Sequence, residues 1–350
     1  MKPQQHDSPQ MTRRLLIGAA MAAATTRTTY AALSDVPAEY RGAVAASDEA
    51  ADPANVANGR FFPGFRRSLV RTSGAAINTL VGGSGPPLLL IHGHPETHVA
   101  WHKVARTLSQ HFTVVLTDLR GYGDSSKPDG GENHINYSKR AMGLDQVEVM
   151  RSLGYERFQA VGHDRGGRVL HQMMLDHPQA VERGVVLDIA PATLMYAHTN
   201  QEFATRYFWW FFHIQPAPLP ERLIGAETEL YLQDHLAVQN KTPGAVTAEA
   251  FAEYLRCYRN PACIHAVCED YRASVSIDVE IHNSIHAKVQ PPLLVLWGAK
   301  GTVGQLFDVL ALWREDAADV SGQPLPCGHL IAEEEPEGLI VALDRFLVRP

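Results

Sequence analysis

Residues 162–166, with the sequence GHDRG, place an aspartate between two glycines where a predicted strand passes into a predicted helix. Glycines are favoured there because a tight turn brings backbone segments so close that a Cβ atom would clash. This spacing is typical of a nucleophile elbow, which projects its central side chain into the site beside the N–H groups of a helix N-terminus. We therefore predict that Asp164 is a nucleophile; the alternative is an ordinary aspartate that caps the helix.

The carboxylate of Asp164 favours displacement at a saturated carbon. It is ionised at neutral pH and needs no base to activate it, whereas a serine in the same place needs one and attacks acyl carbons. The product of the displacement is an ester between enzyme and substrate. Water must then hydrolyse that ester, and this second step requires a general base.

His329 is the candidate base among seventeen histidines, because it lies just before the last predicted helix, residues 336–347. The loop after the predicted strand at 293–297, where the orienting acid usually follows, contains no carboxylate. We therefore predict that Asp188, at the end of an earlier buried strand, orients His329 and stabilises its imidazolium form. Asp308 is the competing acid, but its pattern places it inside a helix.

Four histidines close together in the chain suggest a metal site at first sight: His92, His94, His98 and His102. Although His98 and His102 are four residues apart, Pro95 interrupts the segment. We predict no metal and no cofactor. Residues 92–93 instead form a turn that presents backbone N–H groups to the site, and His94 lies near the substrate.

The elements that must position these residues alternate between strand and helix along most of the chain. We predict strands at residues 76–81, 87–91, 112–117, 158–162, 185–187 and 293–298, and helices at 97–110, 137–153, 168–176 and 336–347. Such alternation favours an α/β fold with a mostly parallel sheet and helices on both faces. It stops over residues 192–288, which predicts a helical cap inserted into a core of residues 61–191 and 289–350.

The N-terminal residues 1–31 resemble a twin-arginine export signal. Arg13 and Arg14 directly precede an apolar run at residues 15–24, which is too short to span a bilayer as a mature helix. The pattern predicts a signal peptide, a linker at residues 32–60, no stable membrane anchor, and a periplasmic or secreted protein. The alternative is a disordered tail with a chance arginine pair.

Composition narrows the class of partner. The net charge of −7 argues against nucleic acid, so the expected partner is a small-molecule substrate. The four cysteines form no CxxC pair, and we interpret them as packing residues: Cys257, Cys263, Cys268 and Cys327. In an exported protein, Cys263 could instead bridge to one of its two sequence neighbours. The sequence is compatible with a homodimer and leaves the oligomeric state open.

Five segments together resemble the haloacetate (fluoroacetate) dehalogenases: 92–95 (HGHP), 118–126 (DLRGYGDSS), 162–168 (GHDRGGR), 215–220 (QPAPLP) and 268–272 (CEDYR). The resemblance extends from about residue 61 to the C-terminus and includes the cap. It implies an α/β-hydrolase fold and the conversion of small 2-haloacids to hydroxy acids through an aspartyl ester. Epoxide hydrolases share the segment at 118–126, so that segment alone is not decisive.

The resemblance also assigns roles to side chains near the nucleophile. It implies that Arg165 and Arg168 hold the substrate carboxylate, which suits two guanidinium groups placed beside a nucleophile. It agrees with Asp188 as the acid and His329 as the base. It further implies a halide pocket with two N–H and O–H donors, Trp210 and Tyr271.

Trp209 departs from this family, which typically has histidine at that position. The change exchanges an imidazole donor for the single N–H of a bulkier indole, and that bulk can turn the N–H away from the halide pocket. Fluoride is the poorest leaving halide and needs the most hydrogen-bond help. We therefore expect chloride or bromide to be favoured over fluoride.

Two other functions compete with dehalogenation. An epoxide hydrolase would use the same nucleophile with a cap tyrosine as the ring-opening acid, but its neutral substrate would have no use for Arg165 and Arg168. A non-catalytic binding protein on the same fold is the other alternative. The complete set of Asp164, Asp188 and His329 argues against it.

Overall fold

The computed structural model describes residues 59–348. The predicted signal peptide and nearly all of the predicted linker lie outside the described residues. Within them, a single eight-stranded sheet has the order β1-β2-β4-β3-β5-β6-β7-β8. The strands are β1 Arg66–Arg71, β2 Ala76–Gly83, β3 Pro87–Ile91, β4 Thr113–Thr117, β5 Phe158–His163, β6 Val181–Leu187, β7 Leu293–Gly298 and β8 Val320–Leu325.

The sheet is antiparallel only at one edge, where β1 pairs with β2 and β2 with β4. All pairs from β4 through β3, β5, β6 and β7 to β8 are parallel. Strands β4 and β5 are buried along their whole length, as expected for parallel strands covered on both faces. Parallel pairing brings the carboxyl ends of six strands to one edge, and the loops that carry the candidate site residues all begin there.

Helices cover both faces of the sheet. The core helices before the insertion are α1 Ala105–Leu108, α2 Lys139–Ser152 and α3 Asp164–Asp176, with short 3₁₀ helices at His98–Trp101 and Glu132–Tyr137. Those after it are α12 Thr302–Leu306, α13 Val309–Asp316, α14 Ile331–Glu334 and α15 Pro336–Leu347. The mostly parallel α/β fold predicted from the sequence is thereby confirmed.

Strand β3 shows how one short apolar run packs against the helices on both faces of the sheet. Leu89 and Ile91 belong to one buried cluster, which includes residues of α2 and α3. Leu88 and Leu90 belong to a second buried cluster, which includes residues of α1 and α15. Because successive strand side chains point to opposite faces, a run that is apolar at every position requires cover on both sides.

The chain between β6 and β7 is helical and contains no strand of the sheet. Its helices are α4 Ala192–Ala197, α5 Gln201–Arg206, α6 Phe208–His213, α7 Leu219–Ala226, α8 Thr228–Gln239, α9 Ala248–Tyr258, α10 Pro261–Val275 and α11 Ile277–Ser284. Trp209, Trp210 and Tyr271 of this insertion share one buried apolar cluster with the sheet. The insertion is therefore packed onto the core through its aromatic side chains. None of the helices among residues 59–348 has the length and apolarity to cross a bilayer.

The segment at 97–110 differs from the single helix expected from its pattern. It contains the 3₁₀ helix His98–Trp101, followed by the four-residue α1. The carbonyl of Val99 accepts hydrogen bonds from the backbone N–H of His102 at 3.0 Å and from its ring Nδ1 at 2.9 Å. The histidine side chain thus competes for a carbonyl that a regular α-helix would bond to residue 103.

Two further expectations are corrected by the structure. Asp308 is not inside a helix; it is the exposed N-cap of α13, where its carboxylate accepts from the backbone N–H of Ala311 at 3.0 Å. All four cysteines are free and buried, so no bridge involving Cys263 is formed. Burial also raises the pKa of the Cys263 thiol to about 11, which is consistent with a packing role.

Candidate active site

Asp164 is the first residue of α3 and lies at the turn between β5 and that helix. Its φ of 44° is in the left-handed region, which is rare for a residue with a side chain and typical of a strained functional turn. A Cβ on Gly162 would lie 2.5 Å from the carbonyl oxygen of Gly166, and one on Gly166 would lie 2.4 Å from that of Ile91. The two glycines are therefore required by backbone contacts, as the sequence pattern predicts.

The loop after β3 supplies a hydrogen-bond donor to the nucleophile. The backbone N–H of His94 donates to Oδ1 of Asp164 at 3.2 Å. Gly93 permits this approach, since a Cβ there would lie 2.7 Å from Cβ of Asp164. His92 fixes the loop, because its Nδ1 hydrogen bonds to the Gly93 carbonyl and its Nε2 accepts from the Leu119 N–H.

His329 connects the nucleophile to the acid. Its Nε2 is 3.8 Å from Oδ2 of Asp164, and its Nδ1 is hydrogen bonded to Oδ2 of Asp188 at 2.5 Å. Asp188 follows β6 with a φ of 51°, and its other oxygen accepts from the Gly298 N–H at 2.9 Å. The Nε2 atom has no partner among the described residues, so it is available to a water molecule beside Asp164.

Asp164 stays ionised although it is buried. Burial alone would raise the pKa of this carboxyl group, but His329, Arg168 and His163 together lower it below its usual range. A carboxylate nucleophile must be charged to attack. The neighbouring side chains therefore preserve the reactive form.

His163 is a functional neighbour that the sequence analysis missed. Its Nδ1 lies 2.8 Å from Oε2 of Glu96, and its Nε2 lies 2.8 Å from the backbone carbonyl of His329. Burial opposes the charge of His163, but Glu96 raises its pKa to about 9. The resulting imidazolium ties the base loop to the nucleophile elbow. The available signal was its place inside the elbow motif, directly before Asp164.

Arg165 is held by a carboxylate of the insertion. Its Nε and one terminal nitrogen donate to the two oxygens of Asp270 at 2.8 and 2.7 Å, and the same nitrogen donates to Ser274. Its guanidinium lies 4.1 Å from the ring centre of Tyr271. Tyr122 also donates to Asp270 at 2.7 Å, so part of the segment at 118–126 serves this network.

Arg168 has no such carboxylate. Its terminal nitrogens contact the Ala190 carbonyl at 3.1 Å and the Met195 sulfur at 3.5 Å, and Nε has no partner. No ion pair involves it within residues 59–348. Burial lowers its pKa from the usual arginine value, whereas Asp164 acts in the opposite direction. Arg168 is thus a buried cation, close to the nucleophile, that lacks a paired anion.

The aromatic residues implicated in halide binding lie beside the two arginines. Trp210 stacks 4.6 Å from the Arg168 guanidinium, and its buried indole N–H has no partner. Trp209 is also buried, but it packs on His235 with ring centres 4.3 Å apart. The two neighbouring tryptophans therefore face different surroundings.

The four histidines that suggested a metal do not act together. His92 holds its own loop, His98 bonds through Nδ1 to Asp118 at 2.8 Å, and His102 bonds to a helix carbonyl. The ring of His94 turns toward the insertion, where it packs on His213 and His235.

Comparison with known proteins assigns the chain to a family. The family model described as the α/β hydrolase fold matches residues 86–336. A fluoroacetate dehalogenase from Burkholderia sp is 44% identical over 288 residues, which cover 82% of this chain and 95% of that protein. This chain belongs to the haloacetate dehalogenase family of the α/β hydrolases.

Other relatives agree with the α/β-hydrolase fold. A crystal structure of a Nostoc sp PCC 7120 protein, described as an α/β hydrolase, is 55% identical and has a TM-score of 0.81. It covers 83% of this chain and all of that chain. A soluble epoxide hydrolase from Corynebacterium sp. is more distant, at 32% identity over 78% of this chain and 94% of that protein.

The geometry predicts that replacing the base separates the two chemical steps. In His329→Asn, Asp164 should still form the ester, because Arg168 and His163 remain to keep it ionised, but water should no longer be activated. We expect one equivalent of halide to be released and an alkylated Asp164 to accumulate, as measured by rapid quench and mass spectrometry. The burst rate should stay constant between about pH 8 and about pH 5, since a lowered carboxyl pKa keeps the nucleophile charged as pH falls.

Asp164→Asn is the control for this experiment and should give no burst. Continued catalytic halide release by His329→Asn would remove His329 from the mechanism. A burst that declines across that pH range would show that Asp164 is not held in its ionised form.

Proposed function

We propose that this protein hydrolyses the carbon–halogen bond of small 2-haloacids, such as a haloacetate, and releases the 2-hydroxy acid and halide. The observation that carries the proposal is the buried Arg168, a cation close to Asp164 with no paired anion. A buried charge without a partner is costly unless a ligand supplies the opposite charge. The carboxylate of a haloacid does so and leaves its α-carbon within reach of the nucleophile.

The first step is displacement by Asp164. One carboxylate oxygen forms a bond to the α-carbon as the carbon–halogen bond breaks, and the halide leaves with the electron pair of that bond. Arg168 fixes the substrate carboxylate by charge. Arg165, whose charge is balanced by Asp270, contributes orientation and a rigid stack with Tyr271.

The second step is hydrolysis of the ester by water. His329 takes a proton from a water molecule at Nε2, and the water oxygen attacks the ester carbonyl carbon of Asp164. The His94 N–H lies 3.2 Å from a carboxylate oxygen, which places it to stabilise the oxyanion. Asp188 holds the ring in the tautomer that presents Nε2 as a base and stabilises the imidazolium that follows.

The unpaired charge of Arg168 disfavours the epoxide hydrolase alternative. A neutral epoxide would leave this guanidinium buried without an anion. The intact set of nucleophile, acid and base disfavours a non-catalytic binding protein.

The Arg168 assignment predicts a selective loss of activity. Arg168→Met keeps much of the side-chain volume but removes the charge, and kcat/KM for chloroacetate should fall about 10²–10³-fold, the size expected when one partner of a buried charge pair is lost. The protein should act on chloroacetate and not on styrene oxide, as measured by halide release and diol formation. Arg140→Met, at a partly exposed arginine paired with Asp176, is the matched control and should retain activity.

The assignment would be wrong if Arg168→Met hydrolysed chloroacetate as well as the wild type does. Faster turnover of the epoxide than of the haloacid by the wild type would favour the alternative function.

We also propose that the protein is exported through the twin-arginine route. The proposal is supported by Arg13 and Arg14, by the apolar run at residues 15–24 and by the small residues Thr29 and Ala31, which suit cleavage by a signal peptidase. Because this route carries folded proteins, Arg13→Lys combined with Arg14→Lys should leave active protein in the cytoplasm. Cell fractionation of an expressing bacterium measures the distribution, and Arg27→Lys is the matched control. Equal periplasmic amounts for the double variant and the wild type would contradict the proposal.

A further inference from the structure

Three buried histidines from different elements meet beside the active site. His94 follows β3, His213 ends α6 and His235 lies within α8. The ring centre of His94 is 5.2 Å from that of His213 and 4.8 Å from that of His235. None of the three is more than 2% exposed. We refer to these three residues as the imidazole cluster.

Hydrogen-bond partners fix the tautomers of two of these rings. The amide nitrogen of Gln239 lies 3.2 Å from Nε2 of His235 and can only donate, so the ring hydrogen of His235 is on Nδ1. The hydroxyl of Tyr231 lies 2.8 Å from Nε2 of His213. Burial raises the pKa of this phenol, so it keeps its hydrogen, and Nε2 of His213 is the acceptor that the described residues offer to it. The ring hydrogen of His213 is then also on Nδ1.

These Nδ1–H groups have no acceptor within the described residues, and both ring nitrogens of His94 also lack a partner. Burial, reinforced by the neighbouring rings, holds the pKa values of His94 and His213 well below the usual range, so these rings are neutral. Burial lowers the pKa of His235 to about 3. Each neutral ring carries one N–H. The imidazole cluster therefore offers three buried donors with no protein acceptor, and its chemical complement is an anion.

The position of the imidazole cluster indicates which anion it binds. The Tyr271 ring lies 4.5 Å from that of His213 and 5.5 Å from that of His94. Trp209 covers His235 on the other side. The backbone of His94 contacts Asp164, and the charges of Asp164 and His329 both act on His235. The donors thus border the reaction centre at Tyr271, away from the Arg168 guanidinium, which stacks on Trp210.

A metal does not fit this arrangement. The Nδ1 atoms of His213 and His235 carry hydrogens and so offer no lone pair to an ion. No group of histidine, cysteine, aspartate and glutamate side chains between residues 59 and 348 has the geometry of a metal site.

We propose that His94, His213 and His235 bind the halide as it leaves the substrate carbon. This inference rests on the proposed dehalogenase function and extends it to the leaving group. When Asp164 forms its bond to carbon, the halide takes the electron pair of the broken bond and accepts hydrogen bonds from the imidazole N–H groups. No proton is transferred, and the rings return to their starting state when the halide departs.

The imidazole cluster also changes the expectation drawn from Trp209. A tryptophan at that position removes one imidazole donor, but His235 lies directly against it and restores one. The protein should therefore retain activity on fluoroacetate. Loss of a cluster donor should lower fluoride displacement more than chloride displacement, since fluoride depends most on hydrogen bonds.

Halide binding tests the inference without turnover. Sodium bromide is titrated against the tryptophan fluorescence of the whole protein at constant ionic strength, with isothermal titration as a second measurement. His213→Phe and His235→Phe remove a donor but keep a ring, and each should raise the bromide dissociation constant about 10–100-fold. His235→Asn is the matched control, because its amide N–H lies near the place of Nδ1, and it should stay within a few-fold of the wild type.

Turnover gives the second readout. The ratio of kcat/KM for fluoroacetate to that for chloroacetate should fall at least several-fold in both phenylalanine variants and recover in His235→Asn. An unchanged bromide constant and an unchanged ratio in folded phenylalanine variants would overturn the inference. So would a wild type that hydrolyses haloacetates but binds no bromide, and that result would leave the proposed function standing. A different result would also overturn the halide role. If the wild type preferred 2-chlorosuccinate to chloroacetate, and the phenylalanine variants lost that preference while binding bromide as well as the wild type, the donors would belong to a second substrate carboxylate.

Discussion

A buried carboxylate that has to remain charged is the constraint on which this active site depends. Asp164 lies at a strained turn where solvent is largely excluded, and burial by itself would favour its neutral, unreactive form. Neighbouring groups offset that penalty by lowering the pKa of Asp164: His329 from the last loop of the sheet, Arg168 one turn along the same helix, and His163 directly before Asp164. The sheet topology brings these groups together, because parallel strands deliver their carboxyl ends to one edge.

Some of the charged side chains around the site are paired and one is not, and the unpaired one defines the substrate. Arg165 and Lys139 both pair with Asp270, and Lys139 also pairs with Asp278, so two carboxylates balance two cations in this part of the site before any ligand binds. Arg168 has no paired anion in the protein, and the carboxylate of a small substrate can form an ion pair with it. The imidazole cluster adds donors without charge, which suits a halide that acquires its negative charge only as the bond breaks.

Local sequence patterns predicted the parts of the site that depend on local geometry. The elbow at 162–166 was recognisable because Asp164 and its flanking glycines form one short sequence motif. Asp188 and His329 were predictable from strand order, and the structure joins them at 2.5 Å. The strands were largely found where buried apolar runs predicted them. The helix expected at 97–110 was wrong, because the His102 side chain competes for a backbone carbonyl.

The site residues that the sequence did not reveal owe their roles to contacts between distant parts of the chain. Glu96 and His163 are separated by 67 positions, and nothing in either segment indicates that they pair. His213 and His235 look like ordinary helix residues, and their role emerges only when α6 and α8 bring both rings against His94. Tautomers, which determine whether a ring donates or accepts, follow from partners such as Gln239 that no sequence pattern reveals.

The origin of the oxygen in the product tests the central claim, covalent attack by Asp164, most directly. A single turnover of chloroacetate with excess enzyme in heavy-oxygen water should give unlabelled glycolate, because its new oxygen comes from the Asp164 carboxylate. Peptide mass spectrometry should then find the label in the segment that contains Asp164. Labelled glycolate from the first turnover, with no label in that peptide, would show that water attacks the substrate directly and would contradict the account.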